Sequence, residues 1–124
     1  MKTKMTMVIA SLAIAIILGQ QSVALAYPSG IEDYAKNLIV NDPEIVSRLD
    51  FWQANYLLTD VLEIICTIKQ PYSQDDVDVL DYRLSGVAEN INSRYEIYGV
   101  SVAVSDVVAN KPVITQFYKG TSNN

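Results

Sequence analysis

Few side chains in this sequence could do chemistry, and the sharpest statement about them is an absence. The 124-residue chain has no histidine and a single cysteine. Without imidazole the commonest general base and the commonest transition-metal ligand are gone, which excludes Ser-His-Asp triads, Cys-His nucleophiles and His-bearing zinc sites. Cys66 lies in the apolar run Ile64-Ile65-Cys66-Thr67-Ile68, with no second cysteine to close an internal disulfide. Those surroundings predict a buried, unreactive thiol and leave an intermolecular disulfide as its one covalent use.

Asp75, Asp76, Asp78 and Asp81 form the densest acidic cluster, and carboxylates are what a hard cation takes. Apolar Val77, Val79 and Leu80 interrupt it, however, and no glycine stands where an EF-hand loop would turn. The cluster therefore reads as the first turns of a helix, facing the positive end of its dipole, and no metal or cofactor is expected. Asp60 with Glu63, and Glu32 with Asp33, are carboxylate pairs of the kind that glycosidases hold across a cleft. A small chain offers little concavity for that, so they read as surface acids. Lys69 has no Ser-x-x-Lys motif beside it. A carboxylate-based hydrolase survives as a formal alternative; the expectation is a protein that is not an enzyme.

The positive hint is aromatic. Eight tyrosines accompany Trp52, and these residue types combine large apolar area with a polar handle, which enriches them at protein interfaces. Tyr72 stands next to a turn, and Tyr95 and Tyr98 stand beside Gly99, where side chains are least committed to packing. These three are the expected contacts with a partner protein, against the alternative that the rings fill a small core and wet their hydroxyls at its edge.

The N-terminus sets the destination. Lys2 and Lys4 precede an apolar run over residues 7–18 that is too short to cross a bilayer, and Ala24-Leu25-Ala26 puts small residues where a signal peptidase needs them. Residues 1–26 therefore read as a signal peptide cleaved after Ala26, delivering the chain to the periplasm or the medium. Tyr27 is not a lipid-accepting cysteine, and no second long apolar run follows, so the mature chain is not expected to insert in a membrane. Removing 26 residues and their two lysines leaves 98, with seven Lys and Arg against 14 Asp and Glu, a net charge of −7. Acidity with scattered basic residues argues against nucleic acid or anionic lipid as partner and leaves basic partners open.

The elements that must position these groups are expected to be mainly α: a small helical hairpin or bundle of three to four helices, forming one domain over residues 27–119 with a disordered tail over 120–124. Ser29 and Glu32 have capping-box spacing ahead of a stripe formed by Ile31, Tyr34, Ala35, Leu38 and Ile39. Asp42-Pro43-Glu44 starts a second helix, which the apolar set Ile45, Leu49, Trp52, Tyr56, Val61, Ile64, Ile65 and Ile68 carries as far as Pro71. Ser73 and Asp76 cap a third, over about residues 74–94, on heptad-spaced Val77, Leu80, Leu84, Val87 and Ile91, a stripe that a homodimer could also use.

Beyond Gly99 the chain fits two periods. A helix through Val107 and Val108 is preferred, and the alternative is an α+β fold with a β-hairpin over about residues 99–118, since Val100, Val102 and Val104 alternate with small residues. The functional expectation is a small exported protein that binds another protein, as an accessory subunit of an envelope assembly such as a secretion or conjugation system, or as an inhibitor or immunity factor. The alternative is a carrier holding a small apolar ligand between helices.

Overall fold

The computed structural model of the protein describes residues 28–122. The signal peptide expected over residues 1–26, with its cleavage after Ala26, lies outside the described residues. In chain order the elements are α1 (Ile31–Val40), α2 (Pro43–Val46), β1 (Leu49–Leu57), β2 (Val61–Ile68), α3 (Gln74–Arg94), β3 (Gly99–Asp106) and β4 (Lys111–Lys119). The strands form one sheet in the order β1-β2-β3-β4. β1 and β2 pair antiparallel, β2 and β3 pair parallel across the α3 crossover, and β3 and β4 close an antiparallel hairpin.

The fold is α+β, and this corrects the expected helical bundle. The second helix does start where expected: Asp42 accepts from the Glu44 amide and Pro43 occupies the first turn. It ends after Val46, and the residues expected to extend it to Ile68 are instead the hairpin β1–β2. In a stretch where apolar residues outnumber polar ones about two to one, periods of 3.6 and 2 can both be traced. The turn that breaks it, residues 58–60, contains neither Gly nor Pro; Asp60 takes the left-handed conformation itself, with φ 67°, and closes the turn with its amide on the Leu57 carbonyl at 3.0 Å. The preferred C-terminal helix is likewise corrected, since residues 99–119 form the hairpin that was the second choice.

Capping chemistry explains the helices that do form. Ser73 and Asp76 make the reciprocal bonds of a capping box at the start of α3. α1 is capped by Gly30 in a left-handed conformation and not by Ser29, which frees Glu32 to accept the Tyr56 amide of β1 at 2.7 Å. Arg48 joins Glu44 at 2.7 Å to Asp76 at 3.0 Å, tying α2 to the first turn of α3.

The core lies between the helices and one face of the sheet. Ile31 and Ile39 of α1, Leu80, Leu84 and Ile91 of α3, and Leu62, Ile64, Val100 and Val102 of the central strands are all fully buried there. The heptad stripe of α3 is thus spent on its own sheet and is not presented to a second copy. Past β4 the chain, expected to be disordered from Gly120, folds back: the amides of Gly120 and Ser122 donate to Tyr98 and Ile97 carbonyls at 2.7 and 3.0 Å. A Cβ on Gly120 would stand 2.2 Å from the Ile97 oxygen, so this return needs glycine.

Candidate functional site

Side chains alternate across a strand, so each strand contributes one set to the core and one to the opposite face. For β2 the core set is Leu62, Ile64, Cys66 and Ile68, and the opposite set is Val61, Glu63, Ile65 and Thr67. The register assembles that second face in rows: Gln53, Ile65, Ala103 and Thr115; Asn55, Glu63, Ser101 and Phe117; Leu57, Val61, Gly99 and Lys119. Phe51, Thr67 and Ser105 add a fourth row. The described helices pack on the other side, and Phe51 and Phe117 remain 49% and 46% exposed.

This open face is nearly free of charge. Glu63 and Lys119 are the charged side chains of its paired rows, and exposed Asp50 stands at the β1 bulge beside Phe51, in a protein whose helices and loops carry most of the acids. At one end it is built around Gly99, where a Cβ would lie 2.3 Å from the Phe117 ring, so only glycine leaves that ring its place against the strand. The Tyr98 ring sits 5.5 Å from Phe117 by centroid, and the Lys119 ammonium lies 4.9 Å from the Tyr98 ring. The result is a small aromatic and cationic cluster at the start of β3 and the end of the edge strand β4.

The three tyrosines expected as contacts are not brought together. Tyr98 borders the open face, as just described. Tyr95 packs edge-on against Tyr34 at 5.7 Å between α1 and the end of α3, with the Arg94 guanidinium 4.8 Å from the Tyr34 ring. Tyr72 is at the far end of β3, where its hydroxyl donates to buried Asp106. Asp106 also accepts from Gln70 Nε2 at 2.8 Å and from the Ala109 amide at 3.0 Å. The Tyr72 bond and those amides hold the Asp106 carboxyl below its ordinary value, and the same bond raises the Tyr72 phenol. This cluster fixes the β3–β4 turn, whose Val107 and Val108 project 61% and 77% exposed.

Phe51, Ile65 and Phe117 were not among the expected contacts. Only Ile65 left a mark in the sequence, as one of two large apolar residues, with Val61, on the side of β2 away from the core, where Glu63 and Thr67 are polar.

The remaining candidates take local roles. Asp76 is spent on the capping box and Arg48. Asp75, Asp78 and Asp81 lie on exposed positions of α3, and among the described residues no group of His, Cys, Asp and Glu is arranged to hold a metal. Asp60 accepts the Tyr56 hydroxyl at 2.6 Å, Glu32 holds the β1 edge, and Lys69 is exposed. Cys66 is 1% exposed on the core side, and burial pushes its thiol up to about 12. A thiol-specific disulfide reagent at pH 8 is accordingly expected to leave the native protein unlabelled and to label one thiol per chain in denaturant. Labelling of the native protein at the denatured rate would place Cys66 outside the core.

Among the described residues no helix is long and apolar enough to cross a membrane. Compared with known proteins, the chain matches no family model, no curated protein and no solved structure.

Proposed function

We propose that this protein acts without catalysis, outside the cytoplasm, by binding another protein through the open face of its sheet, as an accessory subunit of an envelope assembly or as an inhibitor. The observation that carries this reading is that β2 places Val61 and Ile65, beside Glu63 and Thr67, on the face that the described helices leave uncovered. A strand whose second face met water permanently would place polar residues at Val61 and Ile65. The scarcity of charge supports the same reading, because loss of charged residues, more than overall apolarity, marks the centre of a protein interface. Four strands about 4.8 Å apart and roughly 26 Å long present about 500 Å². That is below the roughly 800 Å² each partner contributes to a standard interface, so the face suits the centre of a contact whose rim the loops complete. Phe51 and Phe117 are the aromatic anchors.

In-cell photocrosslinking from positions 65 and 117 tests this, with position 95 between α1 and α3 as the control. One protein partner is expected from 65 and 117, and a second substitution, Phe51→Ser, is expected to lower its yield about tenfold or more while leaving the circular dichroism spectrum unchanged. Equal recovery from position 95, or recovery of this chain alone, would overturn the reading.

A further inference from the structure

α3 shows the solvent a stripe in which Gly86 and Glu89 are explained by neither its packing nor its caps. Asp75, Asp78, Tyr82, Gly86, Glu89 and Ser93 are all exposed and recur at three- and four-residue steps, opposite buried Leu80, Leu84 and Ile91. Asp75 is in the first turn, where the helix dipole favours an acid, but Glu89 stands toward the C-terminal end, where the dipole opposes one. Neither Asp78 nor Glu89 makes an ion pair among the described residues; Asp78 accepts from the neutral Gln74 amide at 3.0 Å. Gly86 is the other anomaly. Glycine weakens a helix interior relative to alanine, and here an added Cβ would meet nothing within 4 Å, so no neighbour in the fold requires it.

Bare backbone at Gly86 is flanked by Tyr82, 78% exposed, and by Asn90 one turn on. Toward α1 the surface drops into a depression of about 320 Å³, lined by Leu38 and Val87 with Asp42, Arg83 and Glu89 at its edge. A second, of about 540 Å³, shares Leu38, Asp42 and Arg83 with it and reaches Tyr34 and Asn37.

We infer that this face of α3 seats a basic helix from a partner protein, whose backbone crosses α3 at Gly86. Helix axes approach closely where one of them carries a residue without a side chain, and Tyr82 gives the crossing an apolar wall. Asp78 on one side of the crossing and Glu89 on the other complement lysines and arginines one to two turns apart on the incoming helix. A second copy of this chain does not fit, because α3 against α3 would set these carboxylates against each other. The stripe lies on the helical layer, on the opposite side of the molecule from the open sheet face, so the two surfaces stand or fall separately.

The probes are two synthetic helices of about five turns with the same Ala/Leu seam, one flanked by Lys and Arg and the other by Glu. Each is titrated into the nitrogen-15-labelled protein at about 0.15 M salt and followed by amide shifts. The basic helix is expected to move Asp78, Tyr82, Gly86 and Glu89 saturably, and the acidic helix to move none of them. Gly86→Leu is expected to raise the thermal midpoint and yet weaken the basic helix about tenfold or more, a pairing that simple loss of structure cannot produce. Glu89→Lys is expected to weaken it as well, and Phe51→Ser to leave it unchanged. Absence of binding, equal affinity in Gly86→Leu, or shifts spread over distant acids such as Asp33 and Asp50 would overturn the inference.

Discussion

Ile64→Ala is expected to cost about 2–5 kcal/mol of folding stability, the range for deleting the methyl groups of a fully buried isoleucine and leaving a cavity. Ile64 is 0% exposed on the central strand β2, between Ala54 and Val102 and under the helices. Against a total of roughly 5–15 kcal/mol for a domain, that loss brings the protein near its threshold. The next residue supplies the control. Ile65 is half-buried on the open face, and Ile65→Ala is expected to cost roughly 1 kcal/mol or less, since water already reaches one side of it. Urea unfolding measures both, as a shift in midpoint at constant slope. Similar costs at the two sites would mean that something covers the second face in the free protein, and the binding face proposed above would be lost with it.

Asp106→Asn is expected to lower the thermal midpoint at pH 7 by roughly 5–10 °C, because the amide cannot accept from Tyr72, Gln70 and Ala109 together as the carboxylate does. The pH dependence separates this from a packing defect. The Asp106 carboxyl is held below its ordinary value of 3.8, first by the Tyr72 hydroxyl and then by the Ala109 amide. A depressed carboxyl contributes stability that is fully present above 3.8 and is lost as pH falls through the lower folded value. The gap between wild type and Asp106→Asn is therefore expected to be constant from pH 7 to about pH 5 and to close at more acid pH, where both carry a neutral group. Tyr72 has the opposite sign: its raised phenol keeps the bond intact until pH passes above its ordinary 10. A gap that stayed open down to pH 2 would show that the carboxylate charge is not what holds the turn. Because Asp106 fixes that turn, increased mobility of Val107 and Val108 is expected in the variant, readable as lowered amide order parameters.

The helix starts were legible because their signals act within one turn. Ser73 with Asp76, and Asp42 with Pro43, do in the structure what their spacing indicates. α3 follows for the same reason, since its stripe repeats over 21 residues without a competing period. The reading failed over residues 49–68. Helical steps from Leu49 to Ile68 can be found there because apolar residues are frequent enough to support either period, and the β-branched content of Val61, Ile64, Ile65, Thr67 and Ile68 was the better guide. Asp60, turning the chain without glycine or proline, removed the usual hairpin signal. Tyr98, named from its place beside Gly99, borders the candidate site; the grouping of Phe51, Ile65 and Phe117 was not legible, because it arises from strand register.

The sequence by itself determined the absence of histidine, the caps that start α2 and α3, and the apolar core side of β2, all properties of composition or of residues a few positions apart. Only the tertiary structure decided which side of β2 is covered, that Tyr72, Tyr95 and Tyr98 part company, and that Asp106 is buried beneath a turn it organises. Those outcomes depend on the parallel pairing of β2 with β3, between residues such as Ile64 and Val102 that meet only once α3 has carried the chain back across the sheet. A pairing over that separation leaves no periodic mark in either strand, since its free energy comes from burial shared between them and is absent from each segment alone.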